Sequence, residues 1–132
     1  MSDKNQLFWE MISVRREGVS KRKQKAIKVA YKQLTPEEHK NLLISKLVEE
    51  VEELHFASTP QKLTEELADI QQVLGDVMTI NGIGEDAVEA ARQVKFPDKG
   101  GFAKGTFVDT IELSEDDEWV KYYRERPDIF PE

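Results

Sequence analysis

The chain contains no cysteine, so its function cannot depend on disulfides, zinc thiolates or a cysteine nucleophile. This absence suits the reducing cytoplasm, which we expect to be its compartment. The sequence also lacks an apolar run long enough to cross a membrane. Its first residues show no basic region followed by an apolar signal segment, so we expect neither export nor membrane insertion.

Basic residues are in the minority, with 19 Lys and Arg against 26 Asp and Glu and a formal net charge of -7. A chain of this charge is not expected to bind nucleic acid or an anionic membrane surface broadly. Residues 15–28 are the exception, with seven basic residues and no interleaved aromatic residue. This segment could bind phosphates or RNA, but we favour a solvated helix face that opposes the acidic remainder.

The 132 residues are enough to bury a hydrophobic core but too few for two ordinary domains. We predict one all-α domain over residues 1–132, built as an antiparallel helix bundle with its core at about 35–108. The N-terminal and C-terminal extensions are expected to pack on this core.

Capping signals place the first two helices. The first is predicted to begin at Thr35-Pro36, where Glu38 completes a capping box, and to run to about Phe56. The second begins after Ser58-Thr59-Pro60 and ends at Asn81-Gly82. Because the connection is short, the two helices should form an antiparallel pair.

A third helix is predicted over about Glu85 to Val94. Pro97 is expected to break the helical pattern, because proline lacks the backbone N–H that an interior helical position donates. The following segment, Lys99-Gly100-Gly101-Phe102, is predicted to be a loop.

The flanking segments are less distinct. Residues 27–34 fit a strand alternation and a helical spacing equally well, so both remain open. Residues 107–113 have β-branched and aromatic character, which indicates a minor short edge strand. Ser114 followed by acids indicates another helix start, leading to a short C-terminal helix that contains Trp119, Tyr122 and Tyr123.

Four acids lie on or beside the apolar stripes of the first two helices. At about 100° per residue, Glu50 falls within the stripe that contains Leu43, and Glu53 borders this stripe. On the second helix, Glu66 and Asp69 repeat this arrangement. Carboxylates beside buried positions are unusual, because solvated helix acids normally point away from the core.

An antiparallel hairpin would place Glu50 opposite Asp69 and Glu53 opposite Glu66, because the residue numbers of the two pairs have the same sum. Like charges this close repel by roughly 1 kcal/mol per pair in water and by more when partly buried. A hard divalent cation such as Mg²⁺ would remove that cost. The alternative is that these acids are part of a solvated surface, since Glu is a good helix former and acidic helix faces are common.

Three segments carry a resemblance to a known family: KLVEEVEEL, EELADIQQVLGDVM and INGIGEDAVEAARQVKFPDKGGFAKGTFV. Their order resembles that of the MazG-like all-α nucleoside triphosphate pyrophosphohydrolases, especially the branch related to phosphoribosyl-ATP pyrophosphohydrolase. The resemblance covers about Thr35 to Val108. The chain has Lys99 where that branch often has Arg, and it lacks the KLVRDKIP opening of that branch.

The resemblance implies a MazG-type helix bundle and an enzyme that hydrolyses a nucleotide between its α and β phosphates. It implies Mg²⁺ as the cofactor, with Mn²⁺ as a substitute, and a homodimer or dimer of dimers as the assembly. The family's metal ligands correspond to Glu50, Glu53, Glu66 and Asp69. The substrate stays open between a nucleoside triphosphate and phosphoribosyl-ATP.

Further residues are candidates for catalysis or substrate binding. Glu49 lies beside the predicted ligands and is our candidate general base, the alternative being a solvent-facing acid. Lys95 and Lys99, with the glycines that follow, suit a triphosphate tail, although a helix-end lysine and a glycine turn explain them equally well. Asp76 and Asn81 could contact the substrate, or they could be an exposed acid and a satisfied helix-end amide.

A different class of function also fits the sequence. The chain could be a non-catalytic helical protein that keeps the fold and binds a partner through its faces. The complete set of four predicted ligands favours the enzyme over this alternative.

Overall fold

The computed structural model describes residues 11–18 and 29–132. Within these ranges the structure is all-α, as predicted, with four helices and no strand: α1 Pro36–Phe56, α2 Pro60–Ile80, α3 Glu85–Lys99 and α4 Trp119–Arg124. None of the described helices combines the length and the apolar character needed to cross a membrane.

The chain forms two compact units, Met1–Val94 and Lys95–Glu132. The first unit contains α1, α2 and most of α3, and the second contains α4. The single domain over residues 1–132 that the chain length favours stays a prediction.

The capping box predicted at the start of α1 is confirmed. The Thr35 hydroxyl accepts a hydrogen bond from the Glu38 backbone N–H at 3.2 Å, and the Glu38 carboxylate accepts one from the Thr35 N–H at 3.0 Å. Two of the N–H groups that lack a helical acceptor are thereby satisfied. The first helix therefore begins where local sequence chemistry places it.

The turn into α2 is equally well determined by sequence. The Thr59 hydroxyl accepts a hydrogen bond from the Lys62 N–H at 3.1 Å, and Pro60 occupies the first turn of the helix. At the other end, Asn81 caps the helix and Gly82 takes a left-handed conformation with φ of 66°. Since only residues 57–59 separate the two helices, α1 and α2 pack as the predicted antiparallel pair.

The interface between α1 and α2 holds the residues that are buried in the described part of the chain: Leu43, Val73 and Glu50. On α2, Ile70 and Val77 are half-buried beside Val73. Three further apolar residues of α2 at helical spacing, Leu63, Leu67 and Leu74, are exposed. The apolar residues of α2 extend around more of the helix surface than α1 covers. The side that carries Ile70, Val73 and Val77 is buried or half-buried.

The third helix extends further than predicted. It ends at Lys99 rather than near Val94, and Pro97 lies inside it. A proline this close to a helix C-terminus removes one intrahelical hydrogen bond but leaves the earlier turns intact. Gly100, with φ of 70°, ends the helix, and its N–H donates to the Phe96 carbonyl at 2.7 Å.

The predicted edge strand at residues 107–113 is wrong, because this segment has no regular structure. A strand needs a partner to satisfy its backbone groups, and the described residues contain no other strand. Of residues 27–34, those from 29 onward adopt neither helix nor strand, and residues 27–28 lie outside the described part.

The short C-terminal helix is confirmed as α4, although it begins at Trp119 rather than at Ser114. Residues 114–117 form a turn, in which the Asp117 N–H donates to the Ser114 carbonyl at 2.9 Å. The Asp117 carboxylate in turn accepts a hydrogen bond from the Trp119 N–H at 2.9 Å. The rings of Tyr123 and Phe130 pack edge to face, with their centroids 4.8 Å apart.

Candidate metal centre

Three of the four predicted metal ligands meet between α1 and α2. Each of Glu50, Glu53 and Glu66 offers a carboxylate oxygen, and these oxygens lie within 4.8 Å of one another. Glu50 and Glu53 lie on successive turns of α1, and Glu66 faces them from α2. We refer to these three residues as the carboxylate cluster.

Glu50 is the buried member of the carboxylate cluster, with 5% of its surface exposed. Its Oε1 lies 3.1 Å from the Lys46 ammonium one turn earlier on α1. Its Oε2 is buried and receives no hydrogen bond from an N–H or hydroxyl donor outside the cluster, and the same is true of Glu66 Oε2. A buried carboxylate oxygen without a donor costs stability unless a proton shared with another acid, or a cation, satisfies it.

The pKa of Glu66 reflects this environment. Burial, the negative charge of Glu53 and hydrogen bonds shared with Glu50 and Glu53 raise it from 4.5 to about 7. A carboxyl group with such a pKa retains its proton over much of the neutral range. The negative charge of the carboxylate cluster can thus be reduced either by a proton on Glu66 or by a bound cation.

Asp69, the fourth predicted ligand, lies outside the carboxylate cluster. Its carboxylate accepts a hydrogen bond from the guanidinium of Arg16, which belongs to the described N-terminal segment, residues 11–18. About a third of the Asp69 side chain is exposed. The structure therefore assembles three predicted ligands and pairs the fourth with an arginine.

Glu49, the candidate general base, is surrounded by hydrogen-bond donors. Its carboxylate accepts from the Lys46 ammonium at 2.7 Å, from the Arg15 guanidinium at 3.1 Å and from the Ser13 hydroxyl at 3.3 Å. The hydrogen bond from Lys46 and the positive charges of Lys46 and Arg15 lower the pKa of Glu49, although burial acts in the opposite direction. In this arrangement Glu49 is a weak base, and its catalytic role stays a prediction.

Lys46 forms ion pairs with both Glu49 and Glu50, and it was not among the residues predicted for the site. Desolvation acts to lower the pKa of Lys46, but hydrogen bonds to Glu49 and Glu50 outweigh it, so that the pKa is raised. The signal was present in the sequence, because Lys46 precedes Glu49 and Glu50 by three and four residues. Arg15 and Arg16 belong to the basic segment 15–28 that the sequence indicates, but nothing in that segment indicated which acids they contact.

The remaining predicted substrate-binding residues make local contacts. The Asp76 carboxylate accepts a hydrogen bond from Gln72 on its own helix at 3.3 Å, and the Asn81 amide donates to the Val77 carbonyl at 2.8 Å. Lys95 and Lys99 belong to the second unit, where the Lys99 ammonium lies 5.5 Å from the ring centroid of Trp119. The proposed role of all four in substrate binding stays a prediction.

Comparison of the chain with protein-family models, with curated proteins and with solved structures finds no match. The membership of the MazG-like superfamily that the motifs suggest therefore stays a prediction. Support for a function comes from the geometry and charge of the carboxylate cluster and its neighbours.

Proposed function

We propose that this chain is a Mg²⁺-dependent, MazG-like nucleotide pyrophosphohydrolase. It cleaves a nucleoside triphosphate, with non-canonical and deoxy nucleotides included among the candidates, between the α and β phosphates to give a monophosphate and pyrophosphate. The observation that supports this most directly is the presence of two buried carboxylate oxygens, Glu50 Oε2 and Glu66 Oε2, that receive no hydrogen bond from a donor outside their cluster. Phosphoribosyl-ATP is the alternative substrate.

The donor set of the carboxylate cluster suits Mg²⁺. All three donors are carboxylate oxygens, the ligand type that this ion prefers, and Mn²⁺ shares the preference. With Mg–O distances of about 2.1 Å, neighbouring ligand oxygens lie about 3 Å apart, so oxygens that already lie within 4.8 Å of one another can share one ion once the side chains draw closer. Three protein ligands leave coordination positions for water and for substrate phosphate.

The residues around the cluster have distinct roles in the proposed reaction. A magnesium ion bound here would supply charge neutralisation at the phosphates and a water of lowered pKa as nucleophile. Glu50 is fixed by burial and by Lys46, so it forms a preorganised ligand. Glu53 and Glu66 complete the cluster, and Asp69 is one turn away from Glu66 on α2.

The proposed enzyme acts as a homodimer or a dimer of dimers. The side of α1 that carries Ile44, Val48 and Val51 is about half exposed, and Leu67 of α2 is exposed to a similar extent. A helix pair that buries few residues and exposes apolar side chains in this way is expected to cover them by associating with another subunit. Sedimentation analysis of the protein tests this assembly, and a strictly monomeric active enzyme would contradict it.

The proposed setting is the cytoplasm, where such an enzyme removes unwanted nucleotides from the pool. Its reaction is tested by measuring Mg²⁺-dependent pyrophosphate release across a panel of ribonucleoside and deoxyribonucleoside triphosphates, with phosphoribosyl-ATP included. We expect release with at least one of them and none when EDTA removes the metal. No release from any compound contradicts the proposal.

Calorimetric titration of Mg²⁺ into the metal-free protein separates the enzyme from the non-catalytic interaction protein. The enzyme should bind Mg²⁺ at a specific site that is lost in Glu50→Gln. A protein that uses the fold only for partner binding should show no such site.

A further inference from the structure

The two arginines of the N-terminal segment, residues 11–18, contact acids on both helices of the site. Arg16 donates a hydrogen bond to Asp69 of α2, and Arg15 donates one to Glu49 of α1 at 3.1 Å. The partners of both arginines neighbour the carboxylate cluster in sequence, at positions adjacent to Glu50 and three residues after Glu66. Positive charge is therefore concentrated beside the most acidic surface of the described helix pair.

The cations beside the cluster differ in how firmly they are held. Lys46 has 13% of its side chain exposed and contacts two carboxylates of its own helix. Arg15 is 35% exposed, whereas Arg16 is 63% exposed. Exposed ion pairs contribute little net stability, so the Arg16 guanidinium can exchange its carboxylate partner for another anion.

A triphosphate chain is an anion that must approach acidic residues in a protein of net charge -7. A positive group beside the site offsets part of this repulsion and attracts the phosphates. A guanidinium suits this task because its planar fork of N–H donors binds two phosphate oxygens at once. Arg16 has the exposure and the position for it.

We propose that Arg16 is a phosphate-binding residue that exchanges Asp69 for the phosphate chain of the substrate. This inference rests on the proposed function. When the guanidinium moves to phosphate, the Asp69 carboxylate is freed to act as the fourth ligand beside Glu50, Glu53 and Glu66. Substrate binding and completion of the ligand set thus become a single coupled event.

Inorganic tripolyphosphate tests this role without any dependence on base or sugar preference. Its affinity in the presence of Mg²⁺ is measured by calorimetry for the wild type, Arg16→Ala, Arg16→Lys and the control Arg92→Ala. Arg92 is a matched control, because its side chain is 62% exposed and pairs with Glu89 of its own helix. We expect Arg16→Ala to lose affinity about tenfold or more, Arg16→Lys to retain part of it, and Arg92→Ala to match the wild type.

Titration with Mg²⁺ alone distinguishes this role from a structural one. If Arg16 exchanges partners, Arg16→Ala releases Asp69 and should bind Mg²⁺ as tightly as the wild type or more tightly. If Arg16 only holds the site together, its removal should weaken Mg²⁺ binding, and that result overturns the inference.

The failure of this inference and the failure of the proposed function give different results. A wild type that binds Mg²⁺ and releases pyrophosphate, with equal tripolyphosphate affinity in Arg16→Ala and Arg92→Ala, overturns the role of Arg16 alone. A wild type that binds no Mg²⁺ and releases no pyrophosphate overturns both.

Discussion

Glu50 of α1 and Glu66 of α2 each bury one carboxylate oxygen, Oε2, that receives no hydrogen bond from a donor outside their cluster, and both residues belong to one cluster with Glu53. Two acids in this relationship destabilise each other unless a proton or a cation lies between them. Their positions follow from the register of the helix pair, which the capped turn at residues 57–59 fixes. The fold therefore holds an arrangement that metal binding would stabilise.

Replacing Glu50 by Gln should abolish catalysis while the helices remain folded. The amide keeps the shape of the side chain but removes the charge of the buried ligand. We expect turnover to fall by more than about a hundredfold, because losing a residue that only hydrogen-bonds a metal ligand already lowers activity by up to about a hundredfold. Pyrophosphate release and calorimetric Mg²⁺ binding measure the effect, and circular dichroism checks the helices. Glu52→Gln, which changes an exposed acid of α1, is the control and should retain activity. Full turnover by Glu50→Gln would show that the metal site is wrong.

Replacing Asp69 by Asn should also abolish turnover, although Asp69 pairs with Arg16 in the structure. The asparagine oxygen is uncharged and binds Mg²⁺ more weakly than a carboxylate does, so the fourth ligand would be lost. Steady-state pyrophosphate release measures this loss, with Glu65→Gln on the exposed side of α2 as the control. Normal activity in Asp69→Asn would limit the ligand set to Glu50, Glu53 and Glu66.

Helical periodicity made the carboxylate cluster predictable. Capping signals at Thr35 and Thr59 fixed both helix starts, and a connection of three residues makes the helices antiparallel, although the predicted pairing of Glu50 with Asp69 is not seen, because Asp69 pairs with Arg16. Once the register is fixed, the spacing of about 3.6 residues per turn determines which acids of α1 face Glu66. Each of these signals is local in sequence, and this is why they could be recognised.

Not every feature was predictable, and one that was missed depends on a contact between distant parts of the chain. Arg16 and Asp69 are 53 positions apart in the sequence, and no pattern in residues 11–18 predicts that they pair. Which apolar side of α2 faces α1 could not be predicted either, because apolar residues cover more than one side of this helix. The structure buries Val73 and exposes Leu67. Pro97 predicts the end of α3, but the helix continues past it and ends before Gly100, which has a left-handed conformation.

The raised pKa of Glu66 predicts a pH dependence of stability in the metal-free protein. The folded pKa of about 7 exceeds the ordinary value of 4.5, so between these pH values the folded state holds a proton that the unfolded chain releases. The resulting stabilisation is fully present below pH 4.5 and is lost as the pH rises through 7. Urea unfolding across this range in EDTA measures it, and Glu66→Gln should remove this part of the pH dependence.

The same proton should compete with Mg²⁺. Because the ion must displace the Glu66 proton, the affinity for Mg²⁺ should rise as the pH increases through about 7, and binding should release protons. Calorimetry in buffers of different ionisation enthalpy counts the protons released. A Mg²⁺ affinity independent of pH between 4.5 and 7 would contradict a role for Glu66 as a ligand.

Lys46 should matter most when no metal is bound. Its ammonium lies 2.7 Å from Glu49 and 3.1 Å from Glu50, so Lys46→Met leaves both acids without this counter-charge. We expect the free energy of unfolding of the metal-free protein to fall by about 1–3 kcal/mol, since an unpaired buried charge is costly. Saturating Mg²⁺ should restore part of this loss, because the ion supplies positive charge to the same cluster.

Urea unfolding of Lys46→Met with EDTA and with Mg²⁺ measures both effects. Lys40→Met, which replaces an exposed lysine of α1, is the matched control and should change stability by less than about 0.5 kcal/mol. Equal destabilisation of Lys46→Met in EDTA and in Mg²⁺ would mean that the ion does not bind beside Glu50. Because this comparison needs no substrate, it tests the location of the metal independently of any catalytic assay.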